Sequence, residues 1–306
     1  MTPRVRRDGG VVRKALADAM SAGPGARLAR RSELLAARGI RTPQARYDAS
    51  ARELVLPWIR GTPGREILRR ADGRLSTSHL IACLLPLVRL HGTDPAGFDL
   101  RPLDPWRRID PRLLELQAAA GSAEARALCR AAQRARGSTE RRLVAISAQR
   151  DGAGQVLVHG DYHIGQLVFA SSLGEPWLLD LDDLALAAPE SDLGNFAAHL
   201  ATVEGCAGDT LDIFRGLTSL LCPLYEGLAQ HRVEPNPVEA YGAVALLRRA
   251  LKLRERGASM AAVLDILSAA ERLASAGTAA SPNPGGRRPG DRDGRLLMGG
   301  RKTAEA

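Results

Sequence analysis

Residues Val156-Leu157-Val158-His159-Gly160-Asp161-Tyr162-His163-Ile164-Gly165-Gln166-Leu167-Val168 place several polar groups in one short loop between two apolar runs. The flanking runs, Gln155 to Val158 and Leu167 to Ala170, read as strands, and His159, Asp161, His163 and Gln166 lie on the connection between them. A third apolar run opens at Trp177 and ends in Leu178-Leu179-Asp180-Leu181-Asp182-Asp183, with Gly174-Glu175-Pro176 as the turn before it. Strands that end in acids at adjacent loops bring Asp161, Gln166 and Asp180 to one rim. Phosphoryl transfer needs such a set. One carboxylate orients the attacking hydroxyl and accepts its proton, while a second carboxylate and a neutral oxygen donor hold Mg²⁺ against the phosphates.

The pattern His159-Gly160-Asp161-Tyr162-His163-Ile164-Gly165-Gln166, followed by Leu178-Leu179-Asp180-Leu181-Asp182, resembles the aminoglycoside phosphotransferase and choline kinase superfamily. That resemblance implies a protein-kinase-like fold and transfer of the ATP γ-phosphate to a small-molecule hydroxyl. It implies Asp161 as catalytic base, Asp180 as the principal Mg²⁺ ligand, and Gln166 at the second metal position, where the pattern normally has asparagine. Gln166 reaches one methylene further than asparagine, which could alter the metal geometry. The loop is similar to that of maltokinase-type members, a pointer to a sugar acceptor.

The same resemblance extends along about residues 3–275, although only 156–195 is specific. It implies that Lys14, in Val11-Val12-Arg13-Lys14, neutralises the α/β-phosphates and that Glu33 is its ion-pair partner. Leu54 to Gly61 resembles the hinge strand, which puts Leu56 and Trp58 beside adenine. Asp192 matches a structural aspartate that closes the core motif, and His159 a residue that braces the loop. His163 is either part of the loop scaffold or a site contact. Asp182 is either a further metal or substrate contact or, with Asp183, a solvated acidic turn. Only thirteen residues precede Lys14, so the family's first strand and phosphate-covering glycine loop read as shortened or missing.

The elements that must position these groups can be read from periodicity. Residues 3–16 form a hairpin around Asp8-Gly9-Gly10. A helix runs from Ala26 to Arg38 with Gly39 past its end, and a strand pair spans Ile40 to Ile59 with Gly61-Thr62-Pro63-Gly64 breaking the pattern. Apolar spacing is helical from Ser76 to His91 and again over Leu113 to Arg150, with a Pro- and Asp-rich loop at 94–108 between. Nearly everything from Leu193 to Ala276 is helical. The fold class is therefore α+β and two-lobed: a small β-rich lobe over 1–60, a helical lobe over 61–276 enclosing a patch of three short strands, and a disordered basic tail over 277–306; the resemblance makes the first a reduced nucleotide-binding lobe and the second the catalytic and substrate-binding one.

Composition narrows the partners. Apolar residues make up 45% and charged residues 25% of 306, as in a globular protein with a full core. No apolar run approaches the roughly 20 residues that cross a bilayer, and MTPRVRRDGG has no apolar segment of a secretory signal, so the reading is no membrane and a cytoplasmic address. Cys83, Cys129, Cys206 and Cys222 are far apart among apolar neighbours, as reduced core residues are. The charge of +9 sits mainly in residues 1–50 and in the tail. Such a basic lobe suits a polyphosphate, and aromatics at 4% do not favour a single-stranded nucleic-acid platform. Between Pro102 and Leu143, nine arginines face five acids, which favours a neutral or anionic acceptor over a polycation. There is no G-x-x-x-x-G-K-[ST], G-x-S-x-G or H-E-x-x-H. The rival reading is a pseudokinase-like binding protein without catalysis, motivated by the short N-terminus and Gln166. The oligomeric state is left open.

Overall fold

The structure, a computed structural model, describes residues 5–16, 22–71, 75–150, 154–170, 174–203, 209–229 and 231–276. The expected basic tail and Cys206 lie outside them. Strands β1 (Val5–Asp8) and β2 (Val11–Ala15) form the expected hairpin, with Gly9 at φ +58° in its turn. β2 continues the sheet to β4 (Glu53–Pro57), and β3 (Arg46–Asp48) closes it, giving the antiparallel order β1-β2-β4-β3. Register sets Lys14 opposite Leu54, on the same face.

Helix α1 (Ala22–Ala37) packs on that face through Leu28, against Ala45 and Leu54. Its approach is close at Gly25, where a Cβ would stand 2.3 Å from the Tyr47 ring. Leu35, further along the same helix, is buried in the large core of the second lobe, so one helix joins both lobes.

Chain entry to the second lobe is β5 (Thr62–Pro63) and α2 (Gly64–Arg70), then α3 (Thr77–His91), capped by the Ser76 hydroxyl accepting from the His79 amide. The 94–108 stretch is a loop, as its proline and aspartate content implies. It is anchored where the Leu103 amide donates to the Leu186 carbonyl and the Leu186 amide to the Arg101 carbonyl, each at 3.0 Å. α4 (Asp110–Ala118) and α5 (Ala123–Ala148) follow.

The expected single patch of three strands is corrected. β6 (Val156–Val158) pairs antiparallel with β9 (Ala185–Ala187), whereas β7 (Leu167–Phe169) pairs with β8 (Trp177–Leu178) on one side and β5 on the other. The patch is thus two small sheets. β9 is three small or aliphatic residues with no alternation to betray it, and β8 stops after two residues because the chain turns left-handed at Asp180 (φ +58°).

Helices α6 (Glu190–Ala201), α7 (Thr210–Ala229), α8 (Pro235–Glu255) and α9 (Met260–Ala276) complete the lobe. α6 is buried on every side and runs through the centre, so it is a rigid base for whatever its first turn holds. It can cross α8 closely because Gly194 lies against Gly242, and a Cβ on Gly194 would stand 2.6 Å from the Gly242 nitrogen. Cys83, Cys129 and Cys222 are buried and unbridged, as expected. Among the described residues no helix is long and apolar enough to cross a membrane.

Candidate active site

β6 delivers His159-Gly160-Asp161, and the first turn of α6 fixes that segment. The carboxylate of Asp192, fully buried, accepts the His159 amide at 2.7 Å and the Gly160 amide at 3.0 Å. It also contacts His91 Nε2 at 3.2 Å, and His91 Nδ1 meets the Tyr225 hydroxyl at 2.7 Å. His159 Nε2 lies 2.9 Å from the Leu179 carbonyl, while its Nδ1 accepts the Asp161 amide at 3.3 Å. Carrying the proton on Nε2 satisfies both contacts. His159 therefore ties the Asp161 loop to the strand end that carries Asp180, which is bracing and not chemistry. Gly160, at φ +76°, is required here: a Cβ would lie 2.4 Å from the Asp183 carbonyl oxygen.

Asp161 is held by two arginines. Arg108, from the anchored loop, donates to Oδ2 at 3.0 Å, and Arg248 of α8 donates to Oδ1 at 2.7 Å. Arg248 also donates to Asn195 Oδ1 at 2.5 Å, and the Asn195 amide donates to the Tyr162 carbonyl at 2.7 Å. Arg108 and Arg107 both pair with Asp183. Burial pushes the Asp161 carboxyl up, but the guanidinium groups of Arg248 and Arg108 hold it below the usual carboxylate range. Asp161 is an anion that accepts hydrogen bonds readily and takes up protons reluctantly.

Asp180 and Gln166 meet, with Gln166 Nε2 3.2 Å from Asp180 Oδ2. The backbone joins the same two points, since the Leu179 amide donates to the Gln166 carbonyl at 2.8 Å. Lys14 spans from β2 to both acids, with Nζ 2.8 Å from Asp180 Oδ1 and 2.6 Å from Asp182 Oδ2. Burial pulls the ammonium down, but the two carboxylates more than offset it and Lys14 ends above its ordinary value. Burial likewise raises both acids; Lys14 brings Asp180 below the usual range, while Asp182 stays above it. As a donor set, the Asp180 carboxylate and the Gln166 amide oxygen are hard ligands of the kind Mg²⁺ takes. The Gln166 side chain already reaches Asp180, and turning its carboxamide over would present oxygen there. The residues present fit the ion.

Other expected residues stand differently. The Lys14–Glu33 pair does not form: Glu33 is exposed and accepts from Arg30 at 3.2 Å. The helical phase explains this, because Leu28, Arg31 and Leu35 form the inward face of α1 and position 33 points away. The α1 side chain that reaches the acidic loop is Arg31, donating to the Asp182 carbonyl at 3.3 Å and the Asp99 carbonyl at 2.8 Å. Leu56 packs beneath the small-lobe cluster of Leu28, Ala45 and Leu54. Trp58 is half-exposed, with the Arg7 guanidinium 4.2 Å from its ring centroid, and its amide donates to the Gly10 carbonyl at 2.8 Å, so that donor already has a partner. His163 Nδ1 accepts the Gly165 amide at 3.0 Å, and its ring stacks on His199 at 4.2 Å. Burial drives the His163 imidazole down to about 3 and pulls His199 well below the usual imidazole value, so both are neutral.

Sequence reasoning missed Arg31, Arg108, Asn195, His199 and Arg248. All but three of the 43 basic residues are arginine, so no single arginine stands out, and Asn195 carries only the faint signal of lying one turn beyond Asp192. Beside these groups lies a cleft of about 640 Å³ whose walls include Arg27, Arg101, Arg107, Arg108 and Arg248.

The sequence pattern of the phosphotransferase enzyme family matches residues 5–231. Among solved structures, the chain is similar to a choline/ethanolamine kinase family protein from Mesorhizobium loti, at 18% identity and TM-score 0.56, over 89% of this chain and 85% of that one. It is also similar to a choline kinase from Streptococcus pneumoniae (14% identity, TM-score 0.56, 90% and 89%). A third is an aminoglycoside phosphotransferase from Streptomyces rimosus in complex with ADP and streptomycin (16%, 0.50, 78% and 87%). These likenesses establish the two-lobed kinase-like fold. The likeness of the 163–166 loop to maltokinase-type members finds no support among them. No curated protein sequence matches the chain.

Proposed function

The chain belongs to the phosphotransferase enzyme family, and we propose that it transfers the γ-phosphate of ATP to a hydroxyl of a small molecule, with Asp161 positioning that hydroxyl. The observation that carries this reading is the meeting of Lys14, Asp180 and Gln166 on one side of the loop that presents Asp161. A relative of the same fold solved with ADP supports a nucleotide as donor.

Asp180 and Gln166 would hold Mg²⁺, which when bound neutralises charge on the polyphosphate. Lys14, freed from its two acids, would place its ammonium on the α- and β-phosphate oxygens. The acceptor hydroxyl would donate to Asp161. Two of that carboxylate's roughly four lone-pair sites are taken by Arg108 and Arg248, leaving room for the hydroxyl. As the oxygen–phosphorus bond forms and the bond to the ADP leaving group breaks, the hydroxyl proton passes to Asp161 and then to solvent. A depressed pKa suits this order. In a loose transition state the nucleophile keeps its proton until late, and orientation counts for more than basicity.

Asp161→Asn keeps the shape and removes the proton acceptor. Its turnover, followed as acceptor-dependent ADP formation, should fall about 10²–10⁴-fold, with nucleotide affinity by calorimetry within a few-fold of the parent. Undiminished turnover would overturn the role of Asp161. The rival reading, a nucleotide-binding protein without catalysis, has one observation in its favour: both oxygens of Asp161 are already in ion pairs. It predicts nucleotide affinity with no ADP formed on any acceptor.

A further inference from the structure

Helix α8 does not end its contribution at Arg248. Arg249 and Lys252 follow on the helix at a spacing of three, and Arg256, the residue that caps its C-terminal end, lies four further on, so the three span roughly 10 Å. The stripe therefore starts beside the residue that grips Asp161 and leads away from it. Across from it, Arg65 of α2 sits over the same loop: a Cβ on Gly165 would meet Arg65 Nε at 2.5 Å and the His163 ring at 2.9 Å.

These cations lack what other arginines of the larger lobe have. Arg112 pairs with Glu255, Arg142 with Glu239 and Arg150 with Glu190. Among the described residues, Arg65, Lys252 and Arg256 pair with no carboxylate, and Arg249 meets only Thr202, at Oγ1 (3.0 Å) and the carbonyl (3.1 Å). Glu255, the nearest acid on α8, is committed to Arg112 at 2.6 Å. The crowding has a measurable cost. Burial, then Arg65, Arg256 and Arg248, bring Arg249 down to about 10, and burial with Arg256 lowers Lys252. The ligand atoms of Asp161, His163 and His199 lie within 4.8 Å of one another, yet four positive side chains beside them oppose a metal cation there and favour an anion.

We propose that the acceptor alcohol carries a carboxylate or phosphate, and that Arg249 and Lys252 of α8 and Arg256 at its C-terminal cap, facing Arg65 of α2, receive that anionic group while its hydroxyl lies at Asp161. This deepens the phosphotransfer reading and rests on it. A bound anion relieves the mutual repulsion of the four cations, so the gain exceeds that of a single ion pair at an exposed site. It also supplies the orientation that places one hydroxyl of several at the base.

Two arms test this on the full chain. In the first, ADP formation from ATP is measured with glycerol, glycerate, glycerol 3-phosphate and 2-amino-1,3-propanediol as acceptors. The anionic alcohols should be preferred, and Lys252→Gln and Arg256→Gln should each raise their KM about tenfold, a loss of the size expected for one charge-assisted contact, with little change in kcat. Equal or better transfer to the neutral or cationic alcohols, or KM values indifferent to both substitutions, would sink the inference and leave phosphotransfer standing. In the second arm, inorganic phosphate is titrated by calorimetry into the chain saturated with ADP. Binding should weaken about tenfold in Lys252→Gln and in Arg256→Gln and not in Arg134→Gln, which removes a remote surface arginine. Binding that is absent, or equal in all four proteins, would overturn the site even if none of these acceptors is turned over. Lys252 is partly and Arg256 wholly exposed, and melting curves confirm folding. Unchanged turnover in Asp161→Asn is the separate result that would remove the phosphotransfer reading and not the anion site.

Discussion

The two guanidinium groups on Asp161 set its working range. On the proposed function the acceptor hydroxyl would meet the Asp161 carboxylate, which is held below the ordinary aspartate value of about 3.8. Activity should thus show no acid limb attributable to Asp161 between pH 5 and 8. In Arg248→Ala the largest neighbouring cation is gone, the neutral acid is favoured, and the pKa rises. The acid limb of the kcat/KM profile should move upward by about 1–2 pH units, and a limb that stays in place would show that Asp161 does not govern it. That Gln166 and Asp180 lie side by side was legible in the sequence, because one precedes and the other follows a pair of short apolar strands that neighbour each other. Glu33 was misread because its helical phase depends on which face of α1 meets the sheet, which no local pattern states. Arg108 and Arg248 were illegible for another reason: partners 53 and 87 residues away in sequence are set only by tertiary packing.

Between elements, the crossing of α6 and α8 connects packing to chemistry. α6 carries Asp192 and Asn195, and α8 carries Arg248, so their separation fixes how Arg248 bears on Asp161. Gly194 and Gly242 permit the close approach, and a Cβ on Gly242 would lie 2.1 Å from Phe214 Cζ. Gly242→Ala should destabilise the fold by about 1–3 kcal/mol through overpacking, read by urea denaturation, and should lower turnover as Arg248 is displaced. Unchanged stability would mean that the crossing yields easily. Periodicity revealed α1, α3 and the helical character of 113–150 and 193–276, without dividing those stretches into their helices, because apolar residues recur where a buried face requires them. It did not reveal this crossing, whose signal is two single glycines 48 residues apart. Nor did it reveal β9, whose three residues form a strand only because β6 is there to pair with.

For the whole molecule, the order of lobes followed from the change in period along the chain, and the shared fold with choline kinases bears that out. Acid stability is a property at this scale, since it compares folded and unfolded chains. His163 and His199 are buried and neutral, the former down to about 3, whereas in the unfolded chain imidazoles take up protons below about 6.5. The unfolded state therefore binds more protons between those values. Stability should be flat above pH 7.5 and fall as pH drops from about 6.5 toward 3. Urea midpoints at pH 7.5 and 5 check this, and His163→Asn should reduce the difference. Equal midpoints would show that these rings are not buried as described.

Lys14 reaches across from the small sheet to the acids of the larger lobe, and that bridge bears on the order of loading. An internal ammonium already discharges the pair, so a dication arriving alone must evict it and leave it with nothing to hold. One escorted by a triphosphate offers the lysine a new berth in the same event. On the proposed function, entry would be an exchange of counter-ions at Lys14, Asp180 and Asp182, in which nucleotide and metal would favour each other's binding.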